Sequence, residues 1–509
     1  MGSSPPPPRR IDRLSDLPDD VLGHVLSFLP TKEAARAAAL ARRWRHAFGN
    51  VRTISIEEEA RAGYSTAHEK KGRNAVLLDG VCSALLARRL SSGYHVPLHG
   101  FRVAFAENDY WNFVHVDQWL VYVLRHCRQE LHLDLRFHLA PLCKHRDRDD
   151  DDDDEHVKEQ VVNSDSDNTE DDEPDYKKMR RQRSYVLPRR LFRCTAIRTL
   201  CAYCRLKLPA AVNLPFLETL SITTPSYCDG PRSIQRLIDS CPRLIDLTLK
   251  AIHCLKRVSV LHKRLRRFTL RCCHNLKSVD IDASELKSLD YCGTVPVELL
   301  FSLHDTPGIP LCTVDFCLAH SKGVQFDGFR RFMEKISDTR RLHLHHGSLE
   351  SRFFLRFPLF SNLTQLMLQG PVESCGTVVA VARVLEQTPN LELLYLCMEE
   401  YASDKNGYDS EEDEDYYMDN LFLAPDEVTV PDESSFSVSC LWHRVKEINM
   451  VHYKGGEAQR MMARLLFSNA IVLERMCVAL VKGMAASQSK LIKNEIERWV
   501  VAYPHKVFL

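Results

Sequence analysis

The chain is 509 residues long and 44% apolar, and its 68 basic residues balance 68 acidic ones. That length predicts more than one unit or a repeat array, and the apolar content suffices for sizeable cores. The zero net charge excludes a global field that would draw the chain to nucleic acid or to an anionic membrane, so binding must come from local surfaces.

Residues 1–10, led by prolines, have no apolar segment behind their charges and are expected to be a disordered tail rather than a secretory signal. No run of about 18 uncharged apolar residues follows, which argues against a transmembrane helix. The expectation is a soluble protein of the cytoplasm, the nucleus or both. Its 18 cysteines are spread along a long chain and read as reduced, mostly buried thiols.

From Leu17 to Phe48 the sequence is LPDDVLGHVLSFLPTKEAARAAALARRWRHAF. Pro18 suits the first position of a helix capped by Ser15 or Asp16, and Val21, Leu22, Val25, Leu26 and Leu29 recur at helical spacing. Pro30 ends that helix. Thr31 begins a second, alanine-rich one carrying Ala38, Leu40, Ala41 and Trp44. Two or three helices this short present more apolar surface than they can cover, so they either cap the edge of a larger array or dock on a partner.

Further on, VDQWLVYVLRHCRQELHLDLRF predicts a helix over Asp117 to Cys127 with Trp119, Leu120, Val123 and Leu124 on one face, then a strand with Leu131, Leu133 and Leu135 alternating. Residues 143–184 hold the acidic block Asp149 to Glu155 and almost nothing apolar, and read as a disordered insertion. Beyond it a motif of leucines bracketing a short alternating strand recurs at Ala196, Phe216, Arg243, Arg264 and Glu285. Leu244, Leu265 and Leu286 are 21 residues apart each time, within the range of about 20 to 29 residues for leucine-rich repeats. The pattern continues at Arg340, Asn362 and Asn390.

Each unit supplies a strand plus a helical or irregular return and cannot bury its own leucines, so stacking is required. The fold class is therefore α/β: a helical N-terminal module over 11–55, then a parallel-strand solenoid over 95–400. A second acidic, disordered loop occupies 401–435. The tail, 436–509, adds the strand RVKEINMVHY, the helix GEAQRMMARLLFSNA and the strand VLERMCVAL, which cap the open end of the array.

No enzyme signature emerges, and no catalytic, cofactor-binding or metal-binding residue is assigned. Cys201 and Cys204 form a lone C-x-x-C without a second pair at zinc-ribbon spacing. Cys272, Cys273 and His274 end a repeat strand, and no partnered histidine activates a cysteine. His343 opens an alternating HLHHG, read as one buried and one solvated face, and Lys454-Gly455-Gly456 is a turn before a helix rather than a phosphate loop. The basic run 177–183 sits beside the acidic block, where internal charge pairing competes with a nuclear import signal, and Ser164, Thr169 and Ser410 precede acids at phosphorylation spacing.

The opening module resembles the plant F-box motif through Leu17, Pro18, Asp19, Leu22, Leu26, Leu29, Pro30, Leu40, Arg43 and Trp44. Ala41 and Phe48 stand where that family often has Ser and Trp. The helix–strand unit at Asp117, the SCPRLIDLTL repeat and the tail from Cys440 look like plant F-box/LRR proteins carrying a C-terminal FBD-type region. The resemblance implies a non-catalytic substrate receptor of an SCF (Skp-cullin-F-box) ubiquitin ligase. Its F-box would dock a Skp-family adaptor and through it a cullin, and its repeats would bind a protein target, with no nucleic acid, membrane or cofactor involved. The implied adaptor contacts are Leu17, Pro18, Leu22, Leu26, Leu29 and Trp44, any of which can instead hold the helices together, Leu26 and Trp44 first. The alternative from another class is a repeat scaffold that binds a partner without ubiquitin transfer.

Overall fold

A computed structural model describes residues 14, 16–57, 67–90, 96–104, 113–136, 185–224, 230–282, 284–296, 300–304, 308–316, 326–346, 349, 351–398, 438–502 and 507–508. The expected tail, both acidic segments, the basic run and the three candidate phosphorylation sites lie outside these residues. The described chain divides into two compact units, one up to Cys254 and one from Leu255.

The first unit begins with three short helices, α1 (Asp19–Leu26), α2 (Thr31–Leu40) and α3 (Arg42–Phe48), followed directly by strand β1 (Thr53–Glu57). Helix α4 (Ala67–Leu90) leads to β2 (Gly100–Ala104), and α5 (Phe113–His126) to β3 (Leu131–Arg136). A single 3-10 turn at Leu191–Arg193 precedes β4 (Ile197–Tyr203), then come β5 (Thr219–Thr223), α6 (Pro231–Asp239) and β6 (Asp246–Lys250).

The six strands pair in chain order and all in parallel, which requires each connection to cross over rather than turn back. Register aligns Ile54, Phe101, Leu133, Leu200, Leu220 and Leu247 in one continuous row, and every member is buried. Because side chains alternate along a strand, this row faces the crossovers and its neighbours face the open side. Helix α5 starts at Phe113, earlier than its periodicity predicts, and buries Val116, Trp119, Leu120 and Val123, with Trp119 edge-on to Phe101 at 6.4 Å. Leu131, Leu133 and Leu135 are all buried, in the alternation the sequence shows.

In the second unit two parallel sheets form. Strands β7 (Arg257–Val260), β9 (Ser278–Asp282) and β11 (Phe301–His304) make the smaller one. The larger contains β8 (Arg267–Arg271), β10 (Ser288–Gly293), β12 (Leu311–Phe316), β13 (Arg341–His345), β14 (Gln365–Gln369), β15 (Leu393–Cys397), β16 (Glu447–Tyr453), β17 (Arg475–Leu480) and β18 (Val507–Phe508), paired in that order. Its buried row runs Phe268, Leu289, Cys312, Leu342, Leu366, Leu394, Ile448 and Met476. The later returns are helical: α7 (Phe326–Lys335), α8 (Ser351–Phe354), α9 (Cys375–Glu386), α10 (Ser439–His443), α11 (Glu457–Asn469) and α12 (Ala486–Ala502).

Three returns thus differ from the helical or irregular ones expected. Where the repeat is 21 to 23 residues long there is no room for a helix and its two connecting turns, so the return is extended. Val258, Val279 and Phe301 lie side by side there and are buried. Strand returns give way to helical ones at an aromatic cluster, in which Phe332 of α7 lies 4.9 Å from Tyr291 and 5.6 Å from Phe301. Among the described residues no helix is long and apolar enough to cross a membrane.

Candidate functional site: the N-terminal helices

Two prolines set the geometry of the opening module. Pro18 and Pro30 each stand just before a helix, without a side-chain cap, and Asp19, Asp20 and Glu33 place negative charge in the first turns, where the helix dipole favours it. Helix α1 ends at Leu26, and Leu29 falls in the turn beyond it rather than on the helix. Ala41, with φ −135° and ψ 137°, breaks the second predicted helix, so Trp44 belongs to α3.

A small core forms between the three helices from Leu22, Leu26, Ala34, Ala38, Ala47 and Val51, with Leu17, Ala37, Trp44 and Phe48 packed half-buried at its margin. The alanines of α2 let the helices approach closely. Gly23 shows how closely: a Cβ there would sit 2.6 Å from Asn50 Cβ and 2.7 Å from the Asn50 carbonyl carbon and oxygen.

Polar contacts fix the module at both ends. The Arg43 guanidinium donates to the Leu17 carbonyl (2.7 Å) and lies 3.8 Å from Asp19, clamping the segment that leads into α1. Ser27 Oγ donates to the Gly23 carbonyl (2.7 Å) and accepts from the Arg52 amide (2.6 Å), while Thr31 Oγ1 accepts from the Ser55 amide (2.7 Å). The last two bonds tie the helices to β1, the first strand of the sheet.

Of the six residues singled out in the sequence, Leu22 and Leu26 are fully buried in the core, Leu17 and Trp44 are half-buried at its margin, and Pro18 and Leu29 are exposed. The outer surface carries others. Val21, Val25 and Phe28 follow one another about a helical turn apart on the exposed side, with Phe28 76% and Leu40 90% accessible. Spacing does not reveal this, because Val21 and Val25 form a stripe beside Leu22 and Leu26 with the same period. The Arg43 clamp also escapes pattern reading, since nothing in the sequence says where a distal arginine returns.

The remaining chemical candidates are dispersed. Burial pushes the Cys201 thiol up to about 11 and the Cys204 thiol up to about 12, and among the described residues no cluster of histidine, cysteine and carboxylate side chains suits a metal ion. Cys272 and Cys292 lie 4.0 Å apart at sulfur and are buried. His343 Nε2 meets Gln369 Oε1 at 3.2 Å, and its ring lies 4.5 Å from that of His345. Lys454 and Gly455 donate their amides to Gln459 Oε1 (2.8 and 3.0 Å), a turn leading into α11. Cys254 is disulfide-bonded, an exception to the expectation of reduced thiols.

Comparison with known proteins converges on the same module. Residues 14–54 match the F-box domain, and residues 175–299 match the LRR repeats of the FBD-associated F-box protein At5g56370. The F-box/LRR-repeat protein At4g14103 of Arabidopsis thaliana is 24% identical over 75% of this chain and 91% of its own length. The putative F-box/FBD/LRR-repeat protein At4g00315 of the same plant is 25% identical over 75% of this chain and 77% of its own. Over 51 residues, 10% of this chain and 12% of the relative, the putative F-box protein At3g58950 of Arabidopsis thaliana reaches 51% identity. The chain is thus similar to the plant F-box/LRR-repeat proteins, with an F-box at its start and leucine-rich repeats stacked behind it.

Proposed function

We propose that the chain is the substrate-recognition subunit of an SCF (Skp-cullin-F-box) E3 ubiquitin ligase. The observation that carries this reading is that Val21, Val25, Phe28, Leu29 and Leu40 of the F-box helices and their turn stay accessible although apolar, while Leu22 and Leu26 complete an internal core. A helix pair with one satisfied and one unsatisfied face suits the groove of a Skp-family adaptor. In this division of labour Pro18 and Leu29 touch the adaptor, Leu17 and Trp44 border the contact, and Leu22 and Leu26 hold α1 in place.

The adaptor links the chain to a cullin, and the open faces of the repeat strands take a protein target. The chain itself makes and breaks no bond. It raises the effective concentration of a target lysine near a ubiquitin-loaded enzyme, in the cytoplasm, the nucleus or both.

The test is co-purification of adaptor and cullin with the full chain from cells. Val25→Asp with Phe28→Asp places charge on exposed positions, so the fold is expected to persist while both partners are lost. Undiminished recovery of the adaptor by this variant would sink the reading. Recovery of the adaptor without cullin from the unaltered chain would instead favour a scaffold that transfers no ubiquitin.

A further inference from the structure

Stacking in register sets equivalent residues of successive repeats side by side, so a side chain that recurs at one position becomes a row. In the second unit the row that leads into the strands is traced by backbone bonds. The Lys287 amide donates to the Arg266 carbonyl (2.9 Å), that of Leu311 to Lys287 (3.2 Å) and that of Arg341 to Pro310 (3.0 Å). The row continues through Thr364 to Arg340 (2.9 Å), Glu392 to Thr364 (2.9 Å) and Lys446 to Glu392 (2.9 Å). These residues form one edge of the larger sheet, at the N-terminal ends of its strands from β8 to β16.

Charge is uneven along that edge. Lys263, Arg264, Arg266 and Arg267 lead into β8, Lys287 precedes β10, and Arg340 and Arg341 stand at the start of β13; all are exposed. The acids in the same stretches, 263–267, 285–288, 309–311 and 338–341, are Glu285, 3.1 Å from Arg266, and Asp338. Lys287, Arg340 and Arg341 have no ion-pair partner among the described residues.

Elsewhere the cations are compensated. On the open face of the same unit Arg271 lies 3.0 Å from Asp290. Farther along the edge the Glu474 amide donates to the Lys446 carbonyl (2.8 Å), so Lys446 stands between Glu392 and Glu474, and Arg475 lies 3.7 Å from Glu447. Within the first unit Arg198 and Arg243 each sit 4.8 Å over the Phe216 ring, and Arg102 and Arg136 both pair with Asp134 (3.1 and 2.8 Å). Like charges side by side on neighbouring strands repel, so an external anion at the β8 to β13 stretch relieves a repulsion as well as forming ion pairs.

We infer that this edge is a docking surface for an acidic segment of a partner protein, which on the receptor reading proposed above is the ubiquitination target. Arginine dominates the stretch, and its planar fork matches a carboxylate. Because Phe268 and Leu342 face inward, Arg267 and Arg341 face the open side, and a segment lying along the edge leaves the rest of its protein over that face. Register sets Arg267, Ser288, Leu311 and Arg341 side by side in turn. Their strand spacings of about 4.8 Å add to roughly 14 Å, the length of four to five residues of extended chain. The occupant is therefore a short run of aspartate or glutamate. A nucleic acid fits less well, since the four lead-in stretches contain no aromatic residue on which bases could stack.

The experiment follows the fluorescence anisotropy of a labelled oligoglutamate peptide, about eight residues long, with the full chain, beside an oligoglutamine peptide of equal length. Only the oligoglutamate is expected to bind, and more weakly as salt rises, because exposed charges are screened. Arg340→Glu with Arg341→Glu should weaken that binding at least tenfold. Arg444→Glu with Lys446→Glu makes the same change in net charge on the compensated stretch and should weaken it less than twofold.

No binding, or equal weakening by the two variants, would overturn the docking surface. So would tighter binding of a single-stranded oligonucleotide of equal charge that the first variant abolishes. Carbodiimide cross-links from Lys263 or Lys287 to residues 149–155 or 411–415 would give the edge to the chain's own acidic segments, overturning the external partner. Adaptor recovery from cells should be the same for both variants as for the unaltered chain. Loss of peptide binding with the adaptor retained counts against this edge alone, and failure of the unaltered chain to recover the adaptor counts against the receptor reading alone.

Discussion

His346, 7% exposed at the end of β13, donates its backbone amide to the Gln369 carbonyl (2.8 Å) and stands edge-on to Phe354. Burial pushes its side chain down to about 4, and burial together with His343 does the same to His345. The ring is therefore neutral in the folded protein at any pH where an exposed histidine would begin to charge. Because the folded value lies below the unfolded one of about 6.5, the unfolded chain binds the proton first as pH falls. Stability is complete above pH 6.5 and declines between there and pH 4. For His346 the loss is on the order of 3 kcal/mol across that window. Urea unfolding of the unaltered chain and of His346→Gln at pH 7 and pH 4.5 checks this. The gap between the two pH values should narrow in the variant, and an unchanged gap would mean that His346 takes its proton without unfolding.

Among elements, the ones legible in the sequence are those with both alternation and a fixed period. Strands β4, β5, β6, β8 and β10 fall inside the motifs read at Ala196, Phe216, Arg243, Arg264 and Glu285, and α11 between two tail strands, because burial on one face writes itself as a pattern. The strand returns at Arg257, Ser278 and Phe301 lie outside the leucine-bracketed motifs, so the repeat period does not single them out. Helix α12 is largely polar, and the apolar residues of α4 bunch in its second half. At the F-box, the pattern identified the helices but not which of two adjacent apolar stripes faces inward, since that depends on how α3 packs across α1. The junction with β1 was invisible for a similar reason: Ser27 and Thr31 look like ordinary turn and cap residues until the Arg52 and Ser55 amides are seen to donate to them. A hydrogen bond of this kind stabilises by about 1 kcal/mol net. Ser27→Ala with Thr31→Val should therefore speed native-state hydrogen exchange at the Arg52 and Ser55 amides roughly fivefold each while leaving β5 unchanged. Equal acceleration in β5 would mean that the whole unit, not the junction, had been loosened.

For the molecule as a whole, zero net charge and an exposed apolar face act together. Sixty-eight charges of each sign give no long-range repulsion near pH 7, so nothing in the charge balance opposes self-association through Val21, Val25, Phe28, Leu29 and Leu40. An adaptor that covers this face removes the sticky surface and, by binding only the folded form, adds stability by mass action, about 2.7 kcal/mol at a hundredfold excess over Kd. In a unit of this size that corresponds to a rise in Tm of roughly 5 to 10 °C. Sedimentation at increasing concentration should show the isolated full chain associating at pH 7, and an equimolar purified Skp-type adaptor should return it to a single defined complex. Thermal melts should rise with the logarithm of adaptor concentration. Val25→Asp with Phe28→Asp should reduce the self-association and abolish the thermal shift together, since one surface is responsible for both. If the variant still shifts with adaptor while its self-association falls, the adhesive face and the docking face are different, and the adaptor binds elsewhere on the F-box.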